Sequence, residues 1–109
     1  MTSRRGAFKA PLYLADETKV WVEGVAKTYA LEEHHLKLLV LAGEAFDRAA
    51  EAREAISKHG TTYVDRFNQP RARPEVAIAR DASIAFARLL RELALDVAAP
   101  DPRPPGLSG

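Results

Sequence analysis

Cysteine is absent from this 109-residue sequence, and so is the glycine-and-lysine loop that holds phosphate in many ATP-binding enzymes. The first absence excludes a disulfide framework, thiol catalysis and cysteine-ligated zinc or iron–sulfur sites. The second excludes a common way of holding a nucleotide. We therefore expect this chain to need no cofactor and to have no enzymatic activity.

Histidine is scarce, with three in the sequence. His34 and His35 follow two glutamates, but adjacent residues on a helix point about 100° apart. They also lack the two-histidine spacing of a helical zinc motif. The sequence therefore predicts no metal site.

Long hydrophobic runs are missing as well. The longest apolar run covers residues 38–43, far short of the roughly 20 residues that cross a bilayer. The N-terminus lacks the apolar core of a secretion signal. These features predict a soluble protein that stays where it is made.

Charge of one sign is not in excess, since the formal net charge is +1. The charge is nevertheless uneven along the chain. Residues 1–15 hold three basic residues and no acidic one: Arg4, Arg5 and Lys9. Residues 66–80 hold one glutamate and four arginines: Arg66, Arg71, Arg73 and Arg80. Both stretches are candidate sites for a polyanion.

The first helix is predicted to be short. Asp16 is a suitable N-cap, and Trp21, Val25 and Tyr29 recur at helical spacing. We expect this helix to end near Thr28.

The second helix has the strongest pattern. It is expected to begin near Leu31 or Glu32 and to end before Gly60, a residue that favours the left-handed stop of a helix. Its predicted inner face consists of Leu39, Ala42, Phe46, Ala49 and Ile56, with Arg53 in the one polar position.

The pattern then changes to alternating β-branched and aromatic residues over 61–67. A turn follows at 68–70, where Asn68 tolerates a positive φ, and residues 71–73 form a return strand. Pro74 suits the first position of a third helix that we expect to reach Leu95. The inner face of that helix is predicted to contain Val76, Ala79, Ser83, Phe86, Leu90 and Leu93.

Together these elements predict a mainly α fold, with a short first helix and two long antiparallel helices joined by a β-arm or short hairpin. Residues 1–15 are expected to be a flexible basic arm that does not pack, and residues 16–96 a helical domain. Residues 97–109 contain four prolines and are expected to be an extended tail.

The ordered set of these motifs resembles the short phage terminase small subunits that have no separate helix-turn-helix domain. The resemblance spans residues 12–105. The motifs, in one-letter code, are FDRA at 46–49, YVDRFNQPRARP at 63–74, RDA at 80–82 and RLLRELALD at 88–96. The most specific parts of this ordered set are the DRF turn at 65–67, the RP helix start at 73–74 and the final run at 88–96.

The resemblance implies an oligomeric, usually ring-shaped recognition subunit without enzymatic activity. Such a protein binds double-stranded phage DNA near the packaging start and passes it to a separate large subunit that contains the ATPase and nuclease. Its implied location is the cytoplasm of the infected bacterial host.

The predicted DNA contacts are the basic residues of the two arms, because arginine binds phosphate through a flat, bidentate group. They are Arg4, Arg5, Lys9, Arg66, Arg71 and Arg73. The alternative is a solvated loop whose arginines pair with Asp65, Glu75 and Asp81. Arg53 and Ser83 leave two interpretations open as well, either residues at the edge of the core or a polar contact that fixes helix register or subunit pairing.

Six apolar residues lie off the predicted inner faces and would stay partly exposed in a monomer, which is typical of an interface. They are Leu36, Leu38, Leu41, Ile78, Ile84 and Leu89. Self-association is therefore expected. The rival hypothesis is a helical scaffold or protein–protein adaptor that does not bind DNA.

Overall fold

The computed structural model describes residues 8–93 and confirms the mainly α prediction. Within that range the elements follow in the order α1 (Asp16–Thr28), α2 (Glu33–His59), β1 (Thr62–Val64), β2 (Pro70–Ala72) and α3 (Pro74–Leu93). The predicted end of the third helix at Leu95, the tail at 97–109, and Arg4 and Arg5 lie outside the described residues.

Helices α2 and α3 form an antiparallel pair. The ring of Phe46 lies 5.4 Å from the ring of Phe86, and Arg53 reaches Ser83 farther along the pair. Residue numbers therefore rise along α2 as they fall along α3. These contacts agree with the inner faces that were predicted from the spacing of apolar residues.

The centre of the α2 face differs from the prediction. Leu39 is fully buried, and the other buried side chains that α2 contributes to the core are small: Ala42, Ala45, Ala49 and Ala52. Phe46 was expected in the core, yet 40% of it is exposed. Small side chains let the two helices approach closely, and the bulky phenyl ring is displaced to the edge of the contact.

Helix α1 crosses α2 at Gly43. A Cβ atom placed on this glycine would lie 3.1 Å from Thr18, 3.2 Å from Val22 and 3.3 Å from Leu14. Those three residues are themselves buried. The missing side chain at Gly43 therefore sets how closely α1 and the segment before it approach α2.

Residues 8–15 pack against the helices, which corrects the prediction that the whole of 1–15 is an arm that does not pack. Ala10 and Leu14 are buried, and Phe8 lies against the same core. The backbone N–H of Ala10 donates to Glu23 over 2.9 Å. Apolar residues in an irregular segment have no periodicity, so only the helices they contact reveal that they are buried.

The start of α1 also differs from the prediction. Ala15 is the N-cap residue, and Asp16 is the first residue of the helix. The cap comes from α2, because Asp47 accepts a 2.8 Å bond from the Ala15 N–H and a 2.5 Å bond from the Thr18 hydroxyl. The carboxylate of Asp47 on α2 therefore caps α1, the role that was predicted for Asp16.

Helix α2 begins and ends with local devices. Glu32 is its N-cap and forms a reciprocal capping box with His35, whose Nδ1 accepts from the Glu32 N–H over 3.3 Å. Gly60 has a φ of 82°, and its N–H donates to Ile56 over 2.7 Å. The predicted glycine stop is therefore confirmed, and His35 has a structural role.

Strands β1 and β2 form the predicted hairpin between α2 and α3. They pair antiparallel, with Thr62 opposite Ala72 and Val64 opposite Pro70. Asn68 has the expected positive φ, at 61°. Every residue of both strands is exposed, so the hairpin projects from the end of the helical pair.

Candidate nucleic-acid and subunit interfaces

The tip of the hairpin is organised by one carboxylate. Asp65 Oδ1 accepts from the backbone N–H groups of Phe67, over 2.8 Å, and Gln69, over 3.0 Å. Asp65 Oδ2 accepts from Arg71 Nε over 2.9 Å. The backbone of Asp65 also pairs with Gln69 and Asn68. The tip is thus held in one shape although both strands are exposed.

These bonds stabilise the charged form of Asp65. The Arg71 guanidinium lowers the pKa of the Asp65 carboxyl below its ordinary value of 3.8, and the N–H groups of Gln69 and Phe67 lower it further. Asp65 therefore remains ionised wherever the protein is near neutral pH. It is a structural acid of the hairpin.

Two of the three predicted DNA-contacting arginines in the hairpin have acidic partners. Arg71 pairs with Asp65, and Arg73 Nε lies 3.5 Å from Glu75 Oε1 without forming a hydrogen bond. Arg80 is paired in the same way with its neighbour Asp81, over 3.1 Å. All three pairings are those expected under the alternative interpretation, in which the hairpin is a solvated loop.

Arg66 is different. Its guanidinium lies 5.1 Å from the centroid of the Phe67 ring, in a cation–π contact at the exposed tip. Among residues 8–93 it forms no ion pair. Arg66 is therefore the hairpin arginine whose charge is open to an external anion.

The N-terminal candidate that the structure describes, Lys9, is exposed. The structure does not bring it close to the hairpin. Leu14 lies beside Gly43, and from there to His59 the helix α2 runs for about 24 Å at its usual rise. Lys9 and the hairpin arginines are thus separate basic sites, at different places along the molecule.

The six predicted interface residues fall into two groups. Leu41, Ile78 and Ile84 are 40–49% exposed, as expected of an uncovered surface. Leu36, Leu38 and Leu89 are half-buried, and the first two pack against the core cluster. Leu36 and Leu41 share a shallow groove on α2 with Phe8 and Val40.

An aromatic cleft lies where α1 meets the helical pair. Its lining includes Trp21, Phe46 and Phe86, and the Phe86 ring lies 5.7 Å from Trp21 as well as close to Phe46. Thr18 and Glu17 complete the lining of a space of about 220 Å³. The cleft is open to solvent and mostly apolar.

The polar positions of the two inner faces meet. Arg53 Nη1 donates to Ser83 Oγ over 3.3 Å, and both side chains are exposed. The contact combines the two interpretations of these residues, since it is polar and lies at the edge of the core.

The described part of the chain offers neither a metal site nor a membrane span. No group of three histidine, aspartate or glutamate residues there is arranged to hold a metal ion. No helix within that part has the length and apolar character needed to span a membrane.

Three residues have roles in shaping these surfaces that were not predicted from the sequence. Asp65 could have been found, because an aspartate that bonds the backbone two residues later is a common turn signal. Asp47 and Gly43 had no such signal. Their partners lie 21 or more residues away, and only the packing of α1 on α2 brings them together.

Comparison with protein families gives one match. Residues 19–101 match the model of the family described as phage terminase, small subunit. The match begins within α1 and includes the hairpin and α3. Searches of curated proteins and of solved structures gave no match.

Proposed function

The chain belongs to the family of phage terminase small subunits, and from this membership we propose that it binds double-stranded phage DNA near the packaging start. In the same proposal it forms a homo-oligomeric ring that recruits and regulates the large terminase subunit. It acts in the cytoplasm of the infected bacterial host. The observation that supports this function is the family match across most of the chain.

We place the DNA contacts on the two basic sites. The hairpin contributes Arg66, Arg71 and Arg73, and the N-terminal segment contributes Arg4, Arg5 and Lys9. Arg66 contributes most within the hairpin, because no acid among residues 8–93 of its own chain neutralises its charge. Arg71 and Arg73 share their charge with Asp65 and Glu75, so their contribution to binding is smaller.

The test is DNA binding as a function of salt. The three hairpin arginines are changed to glutamine, because a glutamate at position 71 would face Asp65 and disturb the tip. Each lost phosphate contact lowers the steepness of log K against log salt by about 0.9. We expect weaker binding and a slope reduced by between one and three units.

The matched control removes the same charge from the outer face of α2, by changing Lys37, Arg48 and Lys58 to glutamine. All three are exposed. Similar losses in both variants would show that only net charge matters and would refute the hairpin site. If the hairpin variant binds normally, the same experiment on Arg4, Arg5 and Lys9 tests the second site.

Recruitment of the large subunit is assigned to the tail at 97–109, on the basis of family membership alone. Deleting this tail should preserve the helical fold and reduce stimulation of the large subunit's ATPase. The purified small subunit by itself should neither hydrolyse ATP nor cut DNA. Full stimulation by the truncated protein would contradict the role of the tail.

One observation favours the rival function of a scaffold that does not bind DNA. Arg71 and Arg73 pair with acids of the same chain, as expected of a hairpin that is solvated and does not contact DNA. Under this hypothesis the protein assembles and binds the large subunit normally, but retains no DNA on a filter at low salt. Retention that falls steeply with salt rules the scaffold out.

A further inference from the structure

The hairpin tip presents an aromatic side chain on a backbone that hydrogen bonds hold in one shape. Phe67 is 67% exposed, although its own N–H is bound by Asp65. Arg66 lies over the Phe67 ring and adds a positive charge beside it. A large apolar group that is exposed on an ordered backbone is typical of an interface anchor.

The aromatic cleft has the complementary properties. Trp21, Phe46 and Phe86 give it apolar walls, and its space of about 220 Å³ exceeds the roughly 150 Å³ cavity known to accept benzene. Glu17 lies at the cleft and forms no ion pair among residues 8–93. The cleft therefore offers an apolar space beside a negative charge, and the tip offers a phenyl ring beside a positive charge.

The two features cannot meet within one chain. Phe46 lies about 20 Å of helix before His59, and the hairpin projects from that end of α2. We propose that Phe67 inserts into the aromatic cleft of a second copy, where Arg66 pairs with Glu17 of the partner subunit. This inference rests on the self-association in the proposed function and names the contact that produces it.

The contact joins two different surfaces, so it is head-to-tail. Each copy uses its tip on one neighbour and its cleft on the other, and repetition closes into a ring when the rotation permits. A self-complementary contact would stop at a dimer. The exposed strands and the hairpin tip bury little surface within the monomer, and in this assembly they become part of the subunit interface.

The first test removes the anchor. Phe67→Ala should weaken self-association by about tenfold or more, since buried aromatic anchors dominate interfaces. Circular dichroism should be unchanged, because the ring lies outside the core. The control is Leu12→Ala, which truncates an apolar side chain that is 88% exposed elsewhere. Unchanged assembly of Phe67→Ala would overturn the proposal.

The second test separates the subunit contact from DNA binding. Arg66→Glu and Glu17→Arg should each weaken assembly, and the double variant should restore it, because the charges are exchanged across the same contact. DNA binding should not recover in the double variant if Arg66 also touches phosphate. Assembly that is not restored refutes the pairing and leaves the DNA site unaffected.

The third test uses the absence of cysteine in the natural chain. A double variant, Arg66→Cys with Glu17→Cys, is treated with a bismaleimide whose span matches an arginine–glutamate pair. We expect a ladder of covalent dimers, trimers and larger species. The control pairs Arg66→Cys with Lys27→Cys, an exposed position on α1 away from the cleft. An oligomer by light scattering that gives no ladder overturns this contact but not the packaging function.

Discussion

Gly43 is a residue at which α1 and α2 approach each other closely. A methyl group there would be 3.1–3.3 Å from three buried side chains, which have little room to move. Overpacking of this kind costs about 1–3 kcal/mol, and alanine regains roughly 1 kcal/mol of helix propensity. We expect Gly43→Ala to lower the free energy of unfolding by about 1 kcal/mol, measured by urea denaturation.

Gly24 provides the matched control. It lies in α1 and is exposed, and apart from its chain neighbours and the nearby backbone of α1, no atom of residues 8–93 lies within 4 Å of an added Cβ. Gly24→Ala should therefore raise the free energy of unfolding by roughly 0.5–1 kcal/mol, because only helix propensity changes. If both substitutions shift stability in the same direction, the close approach at Gly43 does not control packing.

Asp65 makes the hairpin sensitive to acid. Its pKa is lowered in the folded protein, so its contribution to stability is complete above its ordinary value of 3.8. The contribution is lost as pH falls through the lowered pKa. As the pH falls below about 4, the amide protons of Phe67 and Gln69 should lose protection relative to their intrinsic exchange rates, while those of α2 remain protected.

The same exchange experiment on Asp65→Ala gives the reference state. This variant should show a loosened tip at every pH, because the acceptor of three bonds is missing. Arg71 should then be free, and it becomes a further available charge at the hairpin. A tip that stays protected in acid would mean that the strand pairing alone is sufficient.

At the scale of elements, α1 is held by a carboxylate from α2. Asp47 accepts from the backbone of Ala15 and the hydroxyl of Thr18, and Thr18 is buried. Asp47→Ala leaves both donors without this partner, and hydrogen bonds to charged groups contribute about 1.5–3 kcal/mol. We expect a loss of this order in the free energy of unfolding.

The control for Asp47 is Glu51→Ala, one turn later on α2 and exposed. It removes the same charge without removing a cap, so stability should change by less than about 0.5 kcal/mol. A fluorescence shift of Trp21 in Asp47→Ala, absent from the control, would show that α1 has moved. Equal effects of both substitutions would mean that Asp47 stabilises the protein through its charge alone and not as a cap of α1.

At the scale of the whole molecule, the core buries few large side chains, and several large apolar side chains remain on the surface. Among residues 8–93 the largest fully buried side chains are Leu39 and Val22, and alanines fill much of the rest. Leu41, Ile78 and Ile84 remain exposed. A chain of this length gains stability when copies cover such surfaces.

Light scattering coupled to size exclusion should therefore report a mass of several subunits that is stable on dilution. The measurement requires the full chain at micromolar concentration. Changing Leu41, Ile78 and Ile84 to serine should reduce the mass and preserve helicity. A well-folded monomer in the unmodified protein would contradict both the uncovered-surface argument and the ring.

Local rules in the sequence determined where the elements begin and end. Gly60 stops α2, Asn68 turns the hairpin, and Pro74 begins α3, because the backbone preference of each residue acts without distant partners. Helical spacing also predicted that Phe46 meets Phe86. The family resemblance followed from the order of these same residues.

Only the tertiary structure decided which part of each apolar stripe lies at the centre. The spacing of apolar residues defines one face of a helix but not how the helix is rotated about its axis against its neighbour. It therefore predicted Phe46 at the centre of the contact, where the structure has alanines that permit closer packing. It also could not reveal that residues 8–15 pack or that Asp47 caps α1. Those contacts join residues far apart in the chain, and no periodicity records them because they exist only once α1 lies on α2.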